Sequence, residues 1–183
     1  MQLIRNCIAL IRANVVCFTL RVIAPKSFKY RLRIRVFSRA QISLRNKGCI
    51  NLENNIKIDA GAVVASNGGV VNIGNDVGIG RNNIIVSQEA ITIGNGTILS
   101  PNVLIYDHDH EFAPKSGVSV RDYHRSSVRI GEKCWIGANT VILRGTVIGD
   151  NCIIGAGSVI KGIFPDNSKI IQKRVTTVNG EII

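Results

Sequence analysis

Residues 104–112 read LIYDHDHEF, which gathers His108 and His110, two of the chain's three histidines, with Asp107, Asp109 and Glu111. An imidazole titrates near neutrality, and a carboxylate that accepts a proton from one ring nitrogen fixes the tautomer, leaving the other nitrogen as a base. Activating a hydroxyl requires that pairing. His124 lies in the same stretch, DHDHEFAPKSGVSVRDYHR. A single histidine in an exposed loop ordinarily has no role. The weight therefore rests on the neighbouring acids and on whatever holds the segment in place.

What holds it is a repeat. From residue 130 the chain reads IGEKCW, IGANTV, ILRGTV, IGDNCI, IGAGSV, so that Ile130, Ile136, Ile142, Ile148, Ile154 and Ile160 fall on an unbroken period of six. Earlier blocks keep the period as Leu52, Ile58, Val64, then Ile73, Ile79, Ile85, then Ile93, Leu99, Ile105, with short slips between them. Neither a helical period nor simple alternation explains this spacing, nor the small residues Cys134, Thr140, Thr146, Cys152 and Ser158 four places after each aliphatic. A triangular solenoid does: three six-residue faces per coil, aliphatics inward, small residues near the corners, and Gly and Asn permitting tight corners. Stacked coils then pair as parallel strands around an aliphatic column. Ile105 and Ile130 stand 25 positions apart where one face takes six, so 19 residues must loop out of the prism. All three histidines lie in that loop, and a long loop on a rigid scaffold is a common place for a site.

Across roughly residues 52–165 the pattern of aliphatic, Gly/Ala/Asp/Glu, two variable residues and a small residue resembles the hexapeptide-repeat acyltransferase family. The resemblance implies an all-β fold, a left-handed parallel β-helix with an inserted loop at about 106–129 and a short N-terminal helical segment. It makes Cys134 and Cys152 core residues. The expected division is a basic helix-and-strand segment over 1–47 and a β-helix acyltransferase domain over 48–183.

Within the family, the DHDHEF segment resembles the branch of galactoside, maltose and polysaccharide O-acetyltransferases. In that branch a histidine shortly after the aliphatic that ends a coil deprotonates the acceptor hydroxyl, which attacks the acetyl-CoA thioester directly. Counted from Ile105 and Tyr106, the matching residue is His110, with His108 an orienter or neighbour. The resemblance places Tyr106, Asp107, His108, Asp109 and, one coil earlier in GRNN, Asn82 on the acceptor side. Where relatives offer an Asp on that coil this chain has SQEA, residues 87–90, and where the sugar acetyltransferases often have Pro after the histidine it has Glu111. DHDHEF is closer to the polysaccharide enzymes, and Arg121, Tyr123 and Arg125 are further acceptor candidates.

For the acetyl-CoA co-substrate, the resemblance implies a cleft between neighbouring prisms of a homotrimer. Trp135 in CWIGAN matches the family's aromatic, and Ala138 and Ala156 match small positions along the pantetheine arm. Lys161, one place out of register, and Arg174 are candidates for the CoA phosphates. Backbone amides at a coil corner would stabilise the oxyanion, and neither a metal nor an acyl-enzyme is required. The expected activity is O-acetylation of a sugar hydroxyl in a bacterial surface polysaccharide or its lipid-linked precursor. The alternative is N-acetylation of an amino-sugar nucleotide. A zinc-dependent γ-type carbonic anhydrase shares the solenoid, but its H-x4-H spacing is absent here.

The net charge of +11 is local: residues 1–52 hold eleven Lys/Arg and no acid, whereas 53–183 hold twelve of each. Residues 1–24 are apolar, but Arg5, Arg12 and Arg21 interrupt any run near the length of a crossing, so neither export nor a span is expected. An amphipathic helix packed on the protein or lying on a membrane surface fits better. FKYRLRIRVFSR, residues 28–39, alternates apolar and basic residues and predicts a strand with one charged face, suited to a solvated edge or an anionic partner. No nucleic-acid motif accompanies the charge, and no nucleic-acid partner is expected. Five scattered cysteines without paired spacing fit a reducing cytoplasm, with contact at the inner membrane through the basic N-terminus.

Overall fold

The structure, a computed structural model, describes residues 2–173, 177–178 and 181–182. It is a left-handed parallel β-helix capped by one N-terminal helix, Gln2–Ile23. The first face stacks seven strands from Phe28–Tyr30 to Ile163–Phe164, the second seven from Arg35–Val36 to Lys169–Ile170, and the third six from Gln41–Arg45 to Val159–Ile160.

The period of six becomes three vertical columns. Leu52 pairs with Ile73, Ile93 with Ile130 and Ile130 with Ile148 on the first face. Ile58, Ile79, Leu99, Ile136 and Ile154 align on the second, and Val64, Ile85, Ile105, Ile142 and Ile160 on the third. Every one of these fifteen side chains is at most 2% exposed. Their removal from water is the main source of stability. Cys134, Thr140, Thr146, Cys152 and Ser158 are buried as the small-residue rule requires. Burial raises the Cys134 thiol pKa. Corner positions adopt left-handed backbone, held by Asn82 (φ 54°), Asn102 (φ 59°) and Asn139 (φ 57°) on adjacent coils. Asparagine tolerates this region better than other side chains.

Two expectations are corrected. Residues 28–39 are not one strand: Phe28–Tyr30 and Arg35–Val36 sit on different faces, because the chain turns a corner at Arg33 (φ 60°) and leaves Leu32 exposed. The solenoid thus begins at Phe28 and not near residue 48, since Phe28–Tyr30, Arg35–Val36 and Gln41–Arg45 each pair in parallel with the coil above. Local alternation of residue type could not reveal a partner strand 22 residues away.

The helix closes the N-terminal end of the prism. Ala9, Ala13 and Cys17 are buried, and Ala13 and Cys17 join Phe28, Ile34 and Val36 in the core. Burial pushes the Cys17 thiol up to about 12. By length and composition alone Leu3–Ile23 suffices to cross a membrane despite its three arginines, which do not break the apolar stretch as expected. Its inner face is nevertheless taken by the solenoid.

Candidate active site

The site grows from one corner. The slips in the repeat, at 64 to 73 and 85 to 93, and the 19-residue excess all fall where the third face turns back to the first. There, Val63–Asn67 and Ile84–Ser87 run longer than the two-residue strands of the later coils, placing Ser66 and Ser87 in register. Both serines are buried, and one coil further Asp107 is wholly buried as well.

Asp107 is saturated by the protein. Ser87 Oγ donates to Oδ2 at 2.6 Å, the Glu89 amide to Oδ2 at 2.9 Å, and the Gln88 amide to Oδ1 at 2.8 Å. His108 Nδ1 lies 2.9 Å from Oδ1. SQEA, which breaks the family pattern, is therefore the cradle of this carboxylate. Gly69 completes it: a Cβ there would strike Ser87 Oγ and the Glu89 amide, so only glycine lets the chain pass. Asp107, expected on the acceptor side, is 0% exposed, with its carboxylate enclosed by these donors.

The excised segment is a β-hairpin, not an irregular loop. His108–Ala113 pairs antiparallel with Gly117–Arg125, with His108 opposite Arg125, Asp109 opposite His124 and His110 opposite Tyr123. A register shift follows His110, and the Pro-Lys-Ser-Gly segment forms the tip. Arg144, on the same corner of the next coil, donates from Nε to Asp109 Oδ2 at 2.6 Å and ties the hairpin to the prism.

The two histidines are held differently. His108, its side chain 12% exposed, stands edge-on to Tyr106 and Tyr123 with ring centroids 5.8 and 5.5 Å away. His110 is exposed, lies 4.5 Å from the Tyr123 ring, and has Nδ1 2.9 Å from the Ser119 carbonyl oxygen. A carbonyl can only accept, so His110 Nδ1 carries the proton and Nε2 is left as an acceptor. No sequence motif marks Tyr123, Ser119 or Arg144 as supports of the histidines, whereas the slips in the repeat place Ser87 one coil below Asp107.

The remaining candidates sit apart. Asn82 donates to Asn102 at 3.4 Å in the corner ladder between the second and third faces, with no described contact to either histidine. Trp135 is half exposed, and its Nε1 donates to Ser100 Oγ at 2.9 Å. Ala138 and Ala156 stack one coil apart just beyond it, and the Gly157 amide donates to the Ala138 carbonyl. Trp135, Ala138 and Ala156 thus share one ridge. Exposed Lys161 is across the third face, on the hairpin's corner. Arg174 lies outside the described residues. Among the described residues no group of three or more His, Cys, Asp or Glu is placed to hold a metal ion.

Comparison with known proteins agrees with this architecture. Residues 127–162 match the family model described as bacterial transferase hexapeptide (six repeats). Over 136 residues the chain is 33% identical to the Escherichia coli K12 protein named "Putative lipopolysaccharide biosynthesis O-acetyl transferase WbbJ", covering 69% of each. It is 34% identical over 109 residues to the galactoside O-acetyltransferase of the same organism, covering 57% of this chain and 51% of that protein. AntD, an N-acyltransferase from Bacillus cereus solved with dTDP and 3-hydroxybutyryl-CoA, superposes with a TM-score of 0.66 over 81% of this chain and 79% of its own. At 22% identity that likeness is one of fold. The repeat, the solenoid built on it and the extent of these matches show that the chain belongs to the hexapeptide-repeat acyltransferase family and is an acetyltransferase.

Proposed function

We propose that the protein transfers the acetyl group of acetyl-CoA to a sugar hydroxyl of a surface polysaccharide or its lipid-linked precursor, with His110 as general base. The observation that carries this is the state of His110: Nδ1 is committed to the Ser119 carbonyl, and the ring is exposed. His108 is enclosed and anchored on Asp107, which suits it to position the hairpin and not to reach a substrate.

In the proposed mechanism, Nε2 of His110 takes the acceptor's hydroxyl proton as the oxygen attacks the thioester carbonyl. The tetrahedral intermediate collapses with release of CoA as its thiol, and the imidazolium proton neutralises the departing thiolate. Tyr123 and the exposed Phe112 offer apolar surface on which the face of a pyranose ring can rest. The ridge of Trp135, Ala138 and Ala156 has small side chains beside an aromatic, as an extended pantetheine arm needs, while Lys161 offers a cation for phosphate. A homotrimer would bring this ridge against a neighbouring prism and build three such clefts. Supply of acetyl-CoA favours the cytoplasm as the working compartment.

The test is thiol release from acetyl-CoA across a panel of defined oligosaccharides and amino-sugar nucleotides. His110→Ala is expected to lower kcat by about 10²- to 10⁴-fold with an unchanged melting temperature, and His108→Ala by about tenfold. Full activity in His110→Ala would overturn the assignment, and turnover confined to amino sugars would move it to N-transfer.

A further inference from the structure

The N-terminal helix has a second face that the solenoid does not use. Ile4, Ile8, Ile11, Val15, Phe18 and Val22 recur at steps of four and three, and each is at least 60% exposed. At about 100° per residue they fall within an arc of roughly 80°, opposite Ala9, Ala13 and Cys17. The helix is thus apolar on two opposed faces, one buried in the core and one open to solvent. A contiguous exposed stripe of this kind marks an interaction surface.

The charge around the stripe selects its partner. Arg33 and Arg39 are exposed at left-handed corners of the first coil, beside the helix. Leu32, 76% exposed, projects between Arg31 and Arg33 and shares a groove with Leu10 of the helix. Among the described residues the only ion pair made by a cation before residue 53 is Arg31 with Glu53, at 2.7 Å. A second copy brought against this end would present the same cations, which repel. A crossing helix would have to leave the prism, exposing Phe28, Ile34 and Val36. It would also detach Arg12, whose Nη2 donates to the Ala40 carbonyl, and Arg21, which donates to the Pro25 and Phe28 carbonyls.

We propose that this helix lies in the plane of an anionic phospholipid bilayer, with Ile4, Ile8, Ile11, Val15, Phe18, Val22 and Leu32 in the acyl boundary and the first-coil cations on the headgroups. An apolar stripe and an adjacent cationic surface are the two signals that together give stable peripheral binding. The prism then stands on the membrane by its N-terminal end. The hairpin root at Tyr106 is three coil steps above the first coil, about 14 Å at the usual strand spacing. That height suits a sugar tethered to the same bilayer. The docking rests on the helix and first coil alone and goes beyond the catalytic reading.

The test is cosedimentation of the full chain with vesicles of phosphatidylcholine alone and of phosphatidylcholine mixed with phosphatidylglycerol. Wild type is expected to pellet with the anionic vesicles, less so as salt rises, and to stay in solution with the neutral ones. Ile11→Asp/Phe18→Asp, which changes only outward side chains, should weaken binding at least about tenfold. Arg33→Glu/Arg39→Glu should weaken it and flatten the salt dependence, while Ile171→Asp should leave it unchanged. Wild type remaining in the supernatant, or binding neutral vesicles equally, overturns the proposal. So does an Ile11→Asp/Phe18→Asp variant whose oligomeric mass falls while its vesicle binding is kept. Vesicle binding is measured without turnover, so a failure of the acetyl-transfer reading leaves this result standing.

Discussion

Ser87 Oγ donates to Asp107 Oδ2 at 2.6 Å across one coil step, with both residues wholly buried. This bond joins the regular solenoid to the hairpin that leaves it. Ser87 belongs to the longer strand Ile84–Ser87, and Asp107 is the first residue past the strand Leu104–Tyr106. The Gln88 and Glu89 amides close on the same carboxylate, so the hairpin starts from a fixed point, and His108 inherits its orientation from it.

Asparagine cannot replace Asp107. Each carboxylate oxygen accepts from a backbone amide, Oδ1 from Gln88 and Oδ2 from Glu89. Either orientation of an Asn amide would turn its NH2 against an N–H. Asp107→Asn and Asp107→Ala are both expected to cost about 3 kcal/mol in urea unfolding. Activity should fall at least about tenfold at temperatures where the fold persists, as the hairpin loses its anchor.

Arg144 acts on the hairpin from outside. Its pair with Asp109 is partly exposed, 27% and 47% for the two side chains, so Arg144→Ala should change stability by less than about 1 kcal/mol. The expected effect is a several-fold rise in acceptor KM, with acetyl-CoA KM unchanged, read from initial rates. Equal changes in both constants would refute a role confined to the hairpin.

Asp59 gives the fold a pH dependence. Burial raises its pKa, but the Ala60 amide and Lys57, whose Nζ is 3.1 Å from Oδ2, outweigh that and hold it below the ordinary carboxylate value. A lowered folded pKa contributes stability above the unfolded value, about 3.9, and that contribution is lost as pH falls through the folded one. Asp59→Asn should therefore be less stable than wild type near neutrality, with the gap closing in acid. Denaturant titrations at several pH values measure it.

The cysteines should separate by burial. Cys7 is exposed, whereas Cys17, Cys134 and Cys152 are buried, Cys17 with its thiol pushed up to about 12 by burial. Brief iodoacetamide treatment of the native protein should label Cys7 and spare those three, as peptide mass spectrometry would show.

The sequence alone determined the prism, because a period of six in Ile, Leu and Val with a small residue four places on has one packing solution. Every periodic aliphatic from Leu52 to Ile160 is buried as that logic requires. It also determined that the histidines leave the prism together, since 19 surplus residues cannot fit a corner. The tertiary structure decided the rest, where partners are distant in sequence. Phe28, Val36 and Ile42 join the solenoid only through strands 22 residues away. The slips at residues 64–73 and 85–93 look like defects in a linear reading, yet stacked they place Ser87, Gln88 and Glu89 around Asp107. Only the fold could show that Asp107 faces inward, that Asp109 meets Arg144 35 residues later, and that the helix leaves an apolar face open. A periodic pattern specifies which side of a strand is buried, whereas side-chain pairing depends on how coils stack, and stacking is not written in any single coil.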